Sequence, residues 1–461
     1  MLKTFASFAF GCRVNQAEKE EIDRQLSAAD YQYSETNPDF FIINSCAVTQ
    51  KAEREVRQFI YQTRRKFPKT KIILTGCAAT KWIKEKIKIP QVDLMIDNQD
   101  KEKQIIAKHG KIFADRILSE RKRSFMERRT RRLERVAEQE NFVCEQLTRK
   151  NSISEGVPKN KFTASGRLFV KIQDGCNRFC AYCIVPYLRG KPKSVRIKNL
   201  VRQLAERIKE INIKEVILTA INTECYGLDT GETLIELIEN IIYKTNIPRI
   251  SFGSIHPWSL TDEFLVYYRK ILPFGRLVNF FHVPLQSGSN KILSLMKRDY
   301  TSEELMKKLK HLQKINPLAF IGTDVIVGFP GETEKDFSET YQFLKDSPIS
   351  RFHIFRFSPR EGTAAYFLRK KYQEPSPQVK SKRAKILAEL SRQKYRKFLK
   401  KHLGQTFPAL FLEKRTNGYQ EALLPNQIPV LVKTKKDLKR SINKVKIVSL
   451  HASSLTGIVS D

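Results

Sequence analysis

The stretch DGCNRFCAYCIVP, residues 174–186, carries Cys176, Cys180 and Cys183, with three residues in the first gap and two in the second. It follows RLFVKIQ, residues 167–173, an apolar run that reads as a β-strand, so the cysteines sit at a strand's carboxyl end. Barrel enzymes place their catalytic loops there. A disulfide would leave one thiol over, and a structural zinc needs a fourth ligand that DGCNRFCAYCIVPYLRG does not supply. An iron–sulfur cluster held by three thiolates keeps one iron free of protein ligands, and an open position is what a catalytic metal requires.

Downstream of this loop the pattern keeps alternating. The strands KEVILTA (214–220), RISFGSI (249–255), NFFHVPL (279–285), FIGTDVIVGF (320–329) and RFHIFRF (351–357) are separated by helical segments around 197–210, 233–243, 262–271, 290–314 and 334–345. Six strands with five helical segments suit a partial (β/α) barrel better than a flat doubly wound sheet, although the pattern alone leaves both open. Upstream, residues 4–100 show a smaller α/β unit with a parallel sheet: TFASFAF, DFFIINS, KIILTG and VDLMID alternate with helices around 17–28, 51–65 and 81–87. Cys12, Cys46 and Cys77 each follow one of these strands, in FGC, NSC and TGC, at intervals of 46 − 12 = 34 and 77 − 46 = 31 residues. One βαβ unit takes about 30 residues, so the three thiols return to the same sheet edge, where open α/β folds bind ligands.

The chain has 461 residues, 84 Lys and Arg against 49 Asp and Glu, and a net charge of +35. Such an excess calls for a polyanionic partner, nucleic acid first. No apolar run approaches the ~20 residues that span a bilayer. The opening MLKTFASFAFGC has too short an apolar run for an export signal, so a cytoplasmic location is expected. Eight cysteines in a chain of this length make no disulfide framework. Between about 102 and 163 the sequence turns highly charged, with ERKRSFMERRTRRLERVAEQENF as a helix without an apolar stripe and SISEGVPKNK as a linker; it is either an RNA-facing arm or a solvated spacer, and Cys144 within it has no partners. Residues 378–403 form a long basic helix. Beyond Gly404, TFPALFLEK, QIPVLVKT and NKVKIVSL suggest a small lysine-rich β-barrel suited to RNA.

The spacing of Cys176, Cys180 and Cys183 resembles the radical S-adenosylmethionine (SAM) signature. With FGCRVNQAE, INSCAVT, LTGCAA, IVPYLRG, HVPLQSGSN, DVIVGFPGETE and FSPREGTAA, the chain resembles the radical methylthiotransferases over all but the charged segment around 121–161. That resemblance implies two [4Fe–4S] clusters: one on Cys176, Cys180 and Cys183, whose open iron takes SAM, and an auxiliary one on Cys12, Cys46 and Cys77. It implies that one SAM methylates sulfur on the auxiliary cluster, a second supplies a 5′-deoxyadenosyl radical, and the methylthio group passes to an unactivated carbon. An aromatic C2–H offers neither an acidic proton nor a leaving group, so a radical is the remaining route to it.

The expected organisation is an α/β protein in five parts: an N-terminal domain at 1–101, the charged segment at 102–163, a partial (β/α)6 radical SAM barrel at 164–375, a basic connecting helix at 376–403 and a TRAM-like RNA-binding β-barrel at 404–461. Within the family, FGCRVNQAE and IQDGCNRFCAYCIVPYLRG look most like the branch that methylthiolates C2 of N6-threonylcarbamoyladenosine at position 37 of tRNA. Ala220 and Cys225, where that branch usually has glycine, and Lys193, where arginine is common, depart from it. The rival substrates are N6-isopentenyladenosine at the same position and an aspartate of a ribosomal protein; the rival outside enzymes is a metal-stabilised RNA-binding protein. The implied partners are the tRNA anticodon loop, a reductant such as flavodoxin or ferredoxin, and a sulfur donor, with no membrane. Gln286, Ser287 and Asp324, at or near strand ends, are candidates for holding the cofactor, and Arg356 for a carboxylate or phosphate. Gly328 and Gly331 read as turn residues, and His282 as a cavity or barrel histidine.

Overall fold

A computed structural model describes residues 3–99, 166–210 and 212–460; the charged segment expected at 102–163, with Cys144, lies outside them. In the N-terminal part, β1 (Thr4–Ala9), α1 (Arg13–Ala28), β2 (Gln32–Tyr33), β3 (Phe40–Ser45), α2 (Gln50–Lys66), β4 (Lys71–Gly76), α3 (Cys77–Lys84) and β5 (Leu94–Met95) build a parallel sheet in the order β2-β1-β3-β4-β5. The central strands β3 and β4 are buried along their whole length, as expected of near-continuous apolar runs covered by helices on both faces. Phe41, Ile43, Ile72 and Leu74 pack one face against Val56, Ile60 and Trp82, while Phe5, Ile42 and Ile73 pack the other against Ile22 and Leu26. The two-residue edge strand β2 carries no pattern that the sequence reading could have caught.

The second part contains β6 (Arg167–Asp174), α4 (Val185–Arg189), β7 (Lys193–Ser194), α5 (Ile197–Glu210), β8 (Glu215–Ala220), α6 (Leu234–Lys244), β9 (Arg249–Phe252), α7 (Asp262–Ile271), β10 (Phe280–His282), α8 (Asn290–Leu295), α9 (Ser302–Ile315), β11 (Phe320–Val327), α10 (Glu334–Asp346) and β12 (Arg351–Arg356). Six of these strands run parallel, as β6-β8-β9 and β10-β11-β12, with the short β7 antiparallel on the outer edge. The two halves meet at the Ile250–Leu277 bridge and at the hydrogen bond from Ile255 N to His282 O (2.9 Å). The strands follow one another in chain order, without the reversal of a doubly wound sheet, which decides between the two architectures left open above in favour of the partial barrel. Helices α6, α9 and α10 begin with capping boxes, Thr233 with Glu236, Thr301 with Glu304 and Thr333 with Asp336, so their start points are written locally.

After α11 (Ala364–Leu368), α12 (Pro377–Lys400) lies along β12, where Ser391 Oγ accepts from Phe352 N (3.0 Å). The strands β13 (Thr406–Thr416), β14 (Tyr419–Leu423), β15 (Pro429–Lys433), β16 (Ile442–His451) and β17 (Ser454–Val459) close a five-stranded barrel. This small barrel seats on the amino ends of the large barrel's strands: Arg249 donates to Leu423 O (2.9 Å), Asn279 N to Pro425 O (2.8 Å), and Arg167 to Gln427 Oε1 (2.7 Å). No helix among the described residues is long and apolar enough to cross a membrane.

Candidate active site

Strand order brings the first three cysteines together. β1, β3 and β4 are neighbours in the sheet, and Cys12, Cys46 and Cys77 stand at or just beyond their carboxyl ends. Asn15 ties their loops, donating to Phe10 O (2.8 Å) and Ser45 O (3.0 Å). Gly11, at φ +80°, makes the approach possible, since a Cβ there would lie 2.6 Å from Cys46 Sγ. Burial pushes the Cys46 thiol up to about 12, with Cys77 and Cys12 adding through repulsion between thiolates. Cys12 is accessible from the cavity yet lies deep in the protein, and this desolvation raises it; Arg189 opposes the shift and Cys77 reinforces it.

The second trio follows β6. Gly175, at φ +73°, turns the chain where a Cβ would meet Lys191 O at 2.1 Å. Cys176 N then donates to Gly190 O (3.1 Å) and Cys183 N to Cys180 O (2.9 Å), folding the loop on itself. Cys225 lies against Cys176, and its S–H also has Asn177 Oδ1 in reach at 3.2 Å. Hydrogen bonding by Cys225, with Arg178 N (3.5 Å) and Asn222 Nδ2 (3.8 Å) adding, lowers the Cys176 thiol to about 6, while burial pushes Cys183 up to about 12. The buried Arg298 donates to Cys180 Sγ (3.6 Å), Pro284 O (2.9 Å) and Tyr300 OH (3.1 Å).

Both trios line one cavity of about 430 Å³, within the ordinary range of ligand pockets, roughly 300–1,000 Å³. Arg189 fixes the two bodies across it. Its side chain, fully buried, donates to Asn15 Oδ1 (2.6 Å) and Glu18 Oε1 (3.0 Å) of the N-terminal part and to Asp174 Oδ1 (2.8 Å) of the barrel. Burial would raise Asp174, but Arg189 and Lys171 outweigh it and hold the carboxyl below its ordinary value. The guanidinium groups of Arg178 and Arg298 each lie 4.3 Å from the ring of Trp258, and Arg178 is itself paired with Glu224 and Asp299. His256 is lowered to about 3 by burial, with Arg298 and His282 adding, so it meets the cavity as a neutral imidazole.

Among the sequence-derived candidates, Gln286 lines the cavity. It holds a left-handed φ of +73°, pinned where Gln286 N donates to Asp324 O (2.8 Å) and Ile326 N to Gln286 O (2.9 Å). Asp324 also lines it and accepts at Oδ1 from His282 (3.0 Å) and His353 (3.4 Å); burial would raise this carboxyl, but the two imidazoles hold it well below the ordinary range. Ser287 is buried and committed to Thr340 Oγ1 (3.2 Å) and Ser289 N (3.2 Å), away from the cavity lining. Arg356 is exposed on β12, also outside the lining. Gly328 and Gly331 take φ of +77° and +87°, the turn role expected of them. Sequence reading missed Arg189, Trp258, His256 and Arg298. Arg189 is the next-to-last residue of the quoted IVPYLRG, but the others stand in no motif used above.

The donor sets fit iron–sulfur clusters better than single ions. Among the described residues, His282, Asp324 and His353 gather their ligand atoms within 4.8 Å, and neither cysteine trio closes that far. A tetrahedral zinc with bonds of ~2.3 Å needs sulfurs only about 3.8 Å apart. Three thiols from three loops in the first trio, and three from one loop in the second, where Cys225 hydrogen-bonds Cys176, leave room for an open iron at each.

A partial (β/α) barrel with such a loop defines a radical SAM protein, and residues 170–344 match the radical SAM superfamily; residues 4–97 match the uncharacterized protein family UPF0004. The chain is 36% identical over 408 residues to the threonylcarbamoyladenosine tRNA methylthiotransferase MtaB of Aquifex aeolicus, covering 88% of this chain and 92% of that one. It is 32% identical to the protein of that name from Bacillus subtilis (97% and 94% covered), and 31% identical to the tRNA-2-methylthio-N(6)-dimethylallyladenosine synthase of Clostridium botulinum (97% and 95%). The chain therefore belongs to the radical SAM tRNA methylthiotransferases, enzymes whose superfamily implies SAM and a [4Fe–4S] cluster.

Proposed function

We propose that this enzyme adds a methylthio group to C2 of N6-threonylcarbamoyladenosine at position 37 of tRNA, using two [4Fe–4S] clusters. The observation that carries the reading is the single cavity lined by both cysteine trios, which lets one base stand within reach of both. Cys176, Cys180 and Cys183 would hold the cluster that binds SAM, and Cys12, Cys46 and Cys77 the auxiliary one. Bound there, SAM and its cluster supply a carbon radical by one-electron cleavage of the sulfonium.

The protein's own groups prepare the rest. Gln286 offers a side-chain amide and Asp324 a carboxylate to SAM, and Arg298 places a buried positive charge beside Cys180. Arg178, Arg298 and Trp258 wall the cavity with a flat, cationic stack suited to a base. Exposed Lys433, Lys435, Lys436, Lys444 and Lys446 on the small barrel suit the phosphates of the anticodon arm. A low-potential flavodoxin or ferredoxin and a sulfur donor complete the system.

The name of the Clostridium botulinum relative favours dimethylallyladenosine as the second reading. Nucleoside mass spectrometry of tRNA from a strain lacking the gene separates the two. Loss of 2-methylthio-N6-threonylcarbamoyladenosine is expected, and loss of the dimethylallyl nucleoside instead would overturn the proposal.

A further inference from the structure

Four arginines line the cavity, and three are spent. Arg178 is paired with Glu224 and Asp299, and Arg189 with Glu18 and Asp174. Arg298 uses Nε, Nη1 and Nη2 on Tyr300, Cys180 and Pro284. Arg13 differs. Among the described residues it has no carboxylate partner, and its one hydrogen bond is a long one, from Nη1 to Phe252 O at 3.4 Å. It directly follows Cys12, reaches across to the end of β9, and lies 5.7 Å from the ring of Phe280 on β10. Its side chain is solvent-accessible within the cavity lining and runs past Gly253, just beyond β9.

A guanidinium has five N–H donors, and its Nε–Nη2 edge matches a carboxylate in a bidentate fork. Of the two nucleosides in question, the threonylcarbamoyl substituent carries a carboxylate and the dimethylallyl substituent is a hydrocarbon. We infer that Arg13 receives the carboxylate of the N6-threonylcarbamoyl group and so selects the nucleoside. The inference rests on the proposed function and assigns its specificity to one residue. A site built to pair a charged group rejects the analogue that lacks it, because the unsatisfied partner is left desolvated.

The test compares the reconstituted full-length enzyme with its Arg13→Gln and Arg13→Lys variants on two anticodon stem-loops. One carries N6-threonylcarbamoyladenosine and the other its methyl ester. The readouts are kcat/KM for methylthiolation, KM for SAM, and Kd by fluorescence anisotropy without SAM. Esterification should cost the wild type about 10- to 100-fold in kcat/KM, the usual worth of a charged hydrogen bond. It should cost Arg13→Gln less than about 2-fold, because the partner is already gone; Arg13→Lys should fall between. The Kd values should show the same pattern.

An ester penalty of equal size in wild type and Arg13→Gln overturns the inference, as does an Arg13→Gln effect confined to KM for SAM. Wild-type turnover of a third, control stem-loop carrying the dimethylallyl nucleoside, with none of the threonylcarbamoyl one, overturns the proposed function itself, and the inference with it. Absorption spectra of the clusters, compared across the three proteins, report whether the neighbouring Cys12 site still assembles.

Discussion

Replacing Arg189 by Met removes a buried cation that joins the two cysteine-bearing bodies while keeping most of the side-chain volume. The guanidinium is fully buried and serves Glu18, Asp174 and Asn15, so its loss leaves two carboxylates of the interface under-compensated, with Lys171 3.2 Å from each. Breaking a buried pair by removing one partner costs about 3–5 kcal/mol. At about 1.4 kcal/mol per factor of ten, the interface should open roughly two to three and a half orders of magnitude more often.

Hydrogen exchange reads this locally, in a protein too large for one unfolding free energy. Peptides covering α1 and β6 should exchange at least ~100-fold faster, while β14 to β17 stay unchanged. Because the cost lies in orphaned charge, adding Glu18→Gln and Asp174→Asn should restore more than half of the protection. The sign with pH follows. Asp174 is held below its ordinary value, so its pairing stabilises the wild type above pH ~4 and is lost as acid protonates it; the Arg189→Met deficit should shrink over the same range. Exchange within tenfold of wild type, or no rescue by neutralising the carboxylates, would refute the reasoning.

Three further outcomes follow from the site. Replacing Cys12, Cys46 and Cys77 together by Ala should lower iron in the reconstituted protein from about eight atoms per chain to about four. SAM cleavage should survive there while methylthio transfer is lost; unchanged iron would contradict the assignment of that trio. Gly11→Ala, whose Cβ would collide with Cys46 Sγ, should lose the same four irons or fewer, with the absorption of the Cys176 site retained. Burial raises Glu20, which accepts from Phe169 N (3.3 Å), to about 7, so the folded chain holds a proton there that the unfolded chain releases near pH 4.5. Exchange protection of the α1–β6 contact should therefore fall as pH rises through that window, by about 3 kcal/mol, and Glu20→Gln should abolish the fall; a variant no better protected than wild type at pH 8 would speak against it.

The sequence carried the parts of this fold that repeat with a period. Three strand–cysteine junctions about one βαβ unit apart placed Cys12, Cys46 and Cys77 on one sheet edge, where the structure has them. The helices 197–210 and 262–271 were bounded correctly because their apolar spacing marks them, and Thr261 caps the start of the second. Two strands of the small barrel, β14 and β17, went unread. β14 follows Asn417-Gly418, at φ +50° and +77°, a hairpin signal present in the sequence but overlooked. Arg189, Arg298 and Trp258 could not be placed, because their roles arise from partners far away in the chain, such as Asn15 for Arg189 and Cys180 for Arg298. Ser287 shows the converse: its place near a strand end pointed to the cofactor, while its hydroxyl is taken up by the neighbouring helix.

The small barrel grips the amino ends of the large barrel's strands, and the cysteines lie past the opposite ends. β6 alone separates them by seven residue steps, roughly 23 Å of extended chain. If the small barrel holds phosphates, it does so at least one strand length, roughly 23 Å, away from the base under attack, and the protein becomes a ruler. A nucleic acid gripped at one end presents to the cavity only the nucleotide that lies one ruler-length along. Lengthening or shortening the stem by a base pair should then move the wrong residue into the site, without altering any contact to the base itself.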